Sequence, residues 1–447
     1  MTDQNHALNL LNDVIAKAKA KGADAADAVY VNGTSVTLAR RLGKIEHLER
    51  TEGADLGLRV IIGAKQAMVS SSDCSEDALN ELVDRAVSMA RSVPDDPYCG
   101  IAEPGQLAVT IPDLDASDPI EPDAEILTFR AACAEEAALA VAGVTNSEGA
   151  GASFSRTRIA LAASNGFAQT YEGTSSDVSA SVLAGEGTGM ERDYDFTSAA
   201  HAEDLDDPEA VGRNAGERAV KRLNPRRVKT CQVPVIYDPR VSRSILGHLS
   251  SAINGQSVTR GTTFLGEKMG AAIFPAAVTI IDDPLRKRGM RSKPFDAEGI
   301  ATEKLTVIEN GVLKTWILDL ATARQLELQT TGRASRGTSS PPSPSTTNLY
   351  MAPGQVSPTE LIGEIKDGFY VTELIGFGVN GVTGDYSRGA SGFWIENGEL
   401  TYPVSEVTVA GNLLDIFAHI TAADDLTFRY GTDAPTLRID GMTVAGA

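Results

Sequence analysis

The order of hydrophobic periodicities constrains this chain most: a helix, a run of strands and a helix, the same order again, and then mostly strands. Leu8, Leu11, Val14, Ile15 and Ala18 recur at three- and four-residue spacing, which places them on one face of an opening helix that Gly22 can end. Apolar or alternating segments follow at Ala28 to Val31, Val36 to Arg40, Ile45 to Leu48, Leu56 to Ile62 and Ala67 to Ser70. With Asn32-Gly33, Gly43 and Gly63 between them, they predict an antiparallel meander. A helix from about Glu76 to Ser92 stops before Pro94.

The order returns with a helix from Asp123 to Ala142, strands at Ser155 to Ala163 and Ala168 to Glu172 around an Asn165-Gly166 hairpin, and a helix near Pro208 to Leu223. Element order is repeated; residues are not. Between the units, Glu103 to Glu125 is rich in proline and acid without a steady period, as in a linker. From Cys231 come a strand at Val233 to Tyr237, a helix from Pro239 to about Asn254, and then mostly strands, with hairpin signals at Asn310-Gly311 and Asn397-Gly398. Arg333 to Asn348 is polar and proline-studded, the texture of a mobile or functional loop. The expected fold class is α+β, with a first α+β unit over residues 1–110, a linker over 111–122, a second unit over 123–230 and a β-rich carboxy-terminal domain over 231–447.

Charge and cysteine usage narrow the function classes. With 40 Lys plus Arg against 60 Asp plus Glu, the net charge of −20 repels a phosphate backbone, so no nucleic-acid partner is expected. The basic cluster Lys221, Arg222, Arg226, Arg227 and Lys229 sits at a predicted helix end, where cations complement the dipole. Cys74, Cys99, Cys133 and Cys231 form no CxxC pair and suit free thiols in a reducing compartment. The amino terminus has helical rather than continuous apolar spacing, unlike a signal peptide, and no run of about 18 apolar residues occurs, so a cytoplasmic location without membrane contact is expected.

Chemical motifs are sparse. The histidines are His6, His47, His201, His248 and His419, and neither HExxH nor HExxxH is present. GxSxG is absent, and the glycine-rich stretch at Gly185 has the look of a flexible turn, not a phosphate loop. His248, alone on its helix, reads as a packed or surface residue more readily than as a base. Asp282 and Asp283 before Pro284 are explained by a turn. The segment Gly378 to Gly398, GVNGVTGDYSRGASGFWIENG, interleaves glycines with Asp385, Tyr386, Ser387 and Arg388, and suits a turn-rich structural role and a peptide-binding role equally.

Continued by LTYPVSEVTVAGNLL, that segment resembles the carboxy-terminal signature of the TldD/PmbA family, on its PmbA (TldE) branch. GLRVIIGAKQAMVSSSD, SNGFAQTYEGT, RGTTFLGEKMG and ILDLATARQLELQTTG are similar as well, so the resemblance spans nearly the whole chain. The resemblance implies a cytosolic zinc-dependent peptidase, a TldD-TldE heterodimer with the metal on the TldD-type subunit, acting on unfolded peptides in peptide maturation and antitoxin degradation. TldD-type chains carry HExxxH ahead of a segment like RGTTFLG and complete the site with a later cysteine. Counted back from Arg260-Gly261, those slots hold Leu246, Gly247 and Ser251, and no cysteine follows Cys231. The expectation is therefore no catalytic residue and no metal in this chain, zinc in a TldD-type partner, homodimerisation when alone, and Arg260 with Asp385, Tyr386, Ser387 and Arg388 near a substrate chamber. A homodimeric protein-binding scaffold without peptidase activity is the alternative, and an autonomous hydrolase would need carboxylates that sequence alone does not bring together.

Overall fold

A computed structural model describes residues 2–446. The first unit is α1 (Thr2–Ala20), β1 (Ala25–Arg41), β2 (Lys44–Ile62), β3 (Lys65–Ser71) and α2 (Glu76–Ser92). The second is α3 (Ala124–Leu139), β4 (Val144–Ala163), β5 (Ala168–Ala184), β6 (Glu191–Ala199) and α4 (Pro208–Lys221). The two units share one six-stranded sheet in the order β3-β2-β1-β4-β5-β6, joined where β1 pairs antiparallel with β4 from Asp27↔Ala163 to Arg40↔Ala150.

Side chains alternate along a strand, so one face of β1 serves both helix pairs. Ala26 and Ala28 pack with Leu11 and Val14 of α1 and Leu82 and Val83 of α2, while Val36 and Leu38 pack with Leu127 and Ala131 of α3. The opposite face, through Val29 and Leu161, meets Phe295 of the carboxy-terminal half. Helix α4 lies so close on α3 that a Cβ at Gly212 would stand 1.9 Å from the Ala134 carbonyl oxygen. Glycine there permits an approach no other residue allows.

Two expectations for the first unit need correction. Asn32-Gly33 is not a turn: β1 runs straight through it, with Gly33 opposite Gly53 on one side and Thr157 on the other. The five predicted strands are accordingly three, because the segments flanking Gly53 are one strand; the hairpin between β1 and β2 turns at Leu42 (φ 48°) and Gly43 (φ 76°), the latter as expected. Pairing on both edges of β1 overrode the local turn preference.

From β7 (Cys231–Tyr237) the described residues form three further sheets, of six, five and two strands. In one, β7 lies between strands 367–375 and 437–445, strands 385–396 and 399–412 follow, and the pairing of 399–412 with 437–445 closes a barrel. The large core inside and beside it includes Tyr237, Phe369, Tyr386 and Phe417. Asn310-Gly311 and Asn397-Gly398 turn hairpins with positive φ at both residues, as expected. Helix α5 (Pro239–Ala252) and the short α6 (Gly255–Thr259) follow β7 directly.

The polar stretch Arg333 to Asn348 is an ordered connector. Arg333 is fully buried against Asp282, Arg336 reaches Asp27 of β1, and Thr338 reaches Asp55 of β2. The basic cluster after α4 is largely engaged: Arg222 meets Glu191, Asp193 and Glu373, Arg226 lies 4.3 Å from the centroid of the Tyr402 ring, and Arg227 pairs with Glu406. All four cysteines are free, and among the described residues no helix is long and apolar enough to cross a membrane.

Candidate functional site

Helix α5 begins with the Asp238 side chain accepting from the Arg240 N–H and buries Val241, Ile245, Leu246 and Leu249. Leu246 is therefore a core residue, whereas Gly247 and Ser251 are exposed, and the Ser251 hydroxyl donates to the Gly247 carbonyl at 3.0 Å. A buried alkyl group, a missing side chain and a hydroxyl turned back on its own helix do not make a zinc site. Among the described residues no three His, Cys, Asp or Glu side chains are grouped to hold a metal.

His248, between those slots, is half-buried and stands edge-on to Tyr386, with ring centroids 5.7 Å apart. Burial, and after it the positive Arg388, push its pKa down to about 4, so the ring is neutral at physiological pH. Its Nε2 is buried and makes no hydrogen bond.

The predicted group on strand 385–396 divides by burial. Asp385 and Ser387 are exposed, Arg388 is half-buried, and Tyr386 points into the core, where its hydroxyl accepts from that of Tyr237 at 3.2 Å. Asp385 accepts from Thr383 at 2.7 Å, and the Arg388 Nε donates to the Ile375 carbonyl at 3.3 Å. The glycines here have structural work: a Cβ at Gly378 would lie 2.0 Å from the Ser387 carbonyl oxygen, and one at Gly392 would lie 1.8 Å from that of Tyr370.

Arg260 caps the end of α6 elsewhere, on a cleft of about 380 Å³ between the amino-terminal sheet and the carboxy-terminal half. Arg59, Asp96 and Cys99 line one wall; Gln256, Arg260, Glu298 and Asp319 line the other. None of Asp385, Tyr386, Ser387 and Arg388 lines it. The segments that follow Arg260 and precede Asp385 meet where the Phe264 N–H donates to the Gly381 carbonyl at 2.9 Å.

Arg59 on the wall of this cleft pairs with the buried Asp27 behind it, and Glu298 on the lining neighbours Asp319, also on the lining, and the buried Asp296. Burial opposes ionisation of Asp27, yet Arg336 and Arg59 beside it hold its carboxyl below the usual range. Burial raises Glu298 well above the ordinary range, and the neighbouring Asp296 adds to it; Asp296 itself is pushed up to about 6 by burial, against three backbone N–H donors. Asp319 is raised by burial too, although it caps the short helix 320–325 and accepts from Thr322. The cleft thus offers carboxyls whose ionisation burial opposes, a guanidinium and amide groups, a set that can hold polar backbone. Sequence reading missed all of these but Arg260; the available signal was the lone charge of Arg59 within the apolar run Leu56 to Ile62.

Domain profiles described as PmbA/TldA metallopeptidase domain 1, central domain and C-terminal domain match residues 26–90, 112–223 and 230–446. Over 425 residues the chain is 37% identical to "Metalloprotease PmbA" of Escherichia coli O157:H7, covering 95% of this chain and 92% of that protein. The chain belongs to the PmbA/TldD family. A "Metalloprotease PmbA homolog" of Haemophilus influenzae is 35% identical, covering 95% of this chain and 93% of that protein. A solved structure titled a putative modulator of DNA gyrase, from Bacteroides thetaiotaomicron, superposes with a TM-score of 0.90 at 26% identity, covering 98% of both chains. TldE from Thermococcus kodakarensis shares the PmbA/TldD fold at a TM-score of 0.87 and 21% identity, over 98% of this chain and all (100%) of that one.

Proposed function

We propose that this chain is the accessory, non-catalytic subunit of a cytosolic zinc peptidase that acts on unfolded peptides, with the zinc supplied by a TldD-type partner. The observation that carries the reading is the intact α5 at the position of the family's zinc helix, with Leu246 turned into the core and Gly247 and Ser251 offering no ligand. Conserving such a fold without its metal residues suits a chain that completes a chamber rather than one that cuts. Extended substrate is held in that chamber by backbone hydrogen bonding, which favours unfolded peptide with little sequence preference. Arg260 stands at the interdomain cleft, and Arg388 with its neighbours forms a second contact.

The test is cleavage of an unfolded polypeptide by the purified chain, by a TldD-type partner and by their mixture, with a chelator control. The expected result is chelator-sensitive activity in the mixture above that of the partner alone, and none in the chain alone. Activity of the isolated chain refutes the non-catalytic assignment, and a mixture no more active than the partner alone refutes the accessory role.

A further inference from the structure

The loop 286–290 brings Arg286, Lys287 and Arg288 to a pocket of about 200 Å³, whose other walls are the end of β6 and the segment from Phe428 to Asp433. No residue of α5 or of the Arg260 cleft lines it. Three successive cations at a concave surface are unexpected in a chain of net charge −20.

Ion pairing explains only one of the three. Arg288 meets Asp115 at 2.6 Å, Glu203 at 2.6 Å and Asp204 at 3.0 Å, and Arg429 on the opposite wall meets Asp206 at 3.1 Å. Among the described residues, the side chains of Arg286 and Lys287 make no ion pair and no hydrogen bond, and Lys287 acts on Asp115 only at longer range. The Arg286 guanidinium is half-buried with its central carbon 3.4 Å from the centroid of the Phe428 ring. That ring covers a face of the guanidinium and leaves its in-plane N–H donors without an oxygen acceptor. Burial pushes the Arg286 pKa down, and Asp433 and Asp283 nearby offset this only in part. The carboxylates on the pocket wall are already engaged: Asp204 by Arg288, and Asp433 by the backbone N–H groups of Arg429 and Tyr430 at 3.0 and 2.9 Å.

We propose that this pocket binds a phosphate group, free or carried by a small monoester, with Arg286 as the bidentate anchor and Lys287 as the second contact. Pockets for larger organic ligands begin at about 300 Å³, so the volume selects a small ligand or the end of one. The donor set selects its shape. A guanidinium fork spans two oxygens, and a tetrahedral anion still presents a third to the Lys287 ammonium, whereas a planar carboxylate has no third oxygen to offer. The chain's overall charge repels a polyanion, which points to phosphate on a small molecule and away from nucleic acid. The inference uses nothing from the accessory-subunit reading and stands or falls apart from it.

Isothermal titration calorimetry of the full chain at fixed ionic strength tests it, with inorganic phosphate, glycerol 3-phosphate and acetate as probes. The wild type is expected to bind one phosphate group per chain, with acetate weaker by about tenfold or more. R286Q is expected to lose about tenfold or more in phosphate affinity, and R286K, which keeps the charge without the fork, to fall between the two. Lys287 is exposed, so K287Q leaves the fold intact and gives a second reading, a severalfold weakening for both phosphates. Tighter binding of glycerol 3-phosphate than of inorganic phosphate assigns the pocket to a monoester, and the reverse order to the free anion. No saturable phosphate binding by the wild type, acetate that binds as well as phosphate, or R286Q and K287Q that bind like the wild type would overturn the proposal.

Discussion

The neutral, half-buried His248 makes stability depend on pH in a direction that can be worked out. Its pKa is about 4 in the folded chain against 6.5 for the unperturbed group, so between those values the unfolded chain binds more protons than the folded one. Stability from this group is full above about pH 6.5 and is lost as the pH falls towards 4. Linkage over that shift gives a loss of about 2 kcal/mol between pH 7 and pH 5, and about 3 kcal/mol once the folded group has titrated. The perturbation is His248→Phe, which keeps a ring against Tyr386 and sacrifices no bond at the unpartnered Nε2. Asp296, raised to about 6, acts in the opposite sense below its own pKa, but it is present in both proteins and cancels from their difference. Urea unfolding at pH 7 and pH 5 is expected to show the wild type losing about 2 kcal/mol more than the variant. An identical pH dependence in the two proteins, or a His248 NMR resonance titrating near 6.5, refutes the reasoning.

Other perturbations have signs fixed by the packing. Arg333→Ala strands the buried Asp282 carboxylate without its cation and is expected to cost about 3–5 kcal/mol in chemical unfolding. Gly212→Ala forces α4 off the Ala134 carbonyl and should lower stability by about 1–3 kcal/mol, read as a fall in Tm. Grafting Leu246→His, Gly247→Glu and Ser251→His is expected to give no stoichiometric zinc by metal analysis, because position 246 faces the core. Arg388→Ala should reduce turnover in the mixed-subunit assay; unchanged partner binding and turnover would remove Arg388 from the proposed chamber.

Elements held by local turns were legible in the sequence. Asn165-Gly166, Asn310-Gly311 and Asn397-Gly398 each turn as their dipeptides predict, because the strands they join pair with each other. Asn32-Gly33 has the same chemistry but lies between β2 and β4, and a pairing partner more than a hundred residues away is invisible to a local rule. The candidate site failed to appear for a related reason. Arg59, Arg260, Glu298 and Asp319 share a cleft only because the amino-terminal sheet packs against the carboxy-terminal half. The glycine-rich signature was conspicuous, yet its clearest physical explanation is close backbone approach within the barrel, as at Gly378 and Gly392.

The connector from Arg333 to Asn348 behaves as a ruler. Arg333 is sunk in one half of the molecule and Arg336, three positions later, in the other, so the intervening span is fixed at both ends. Surface connections ordinarily accept extra residues with little penalty. Here a single inserted residue between the two arginines would pull one guanidinium from its carboxylate, while replacement of Ala334 or Ser335 by another small residue would leave both anchors seated. Along this stretch length is under tighter physical constraint than composition.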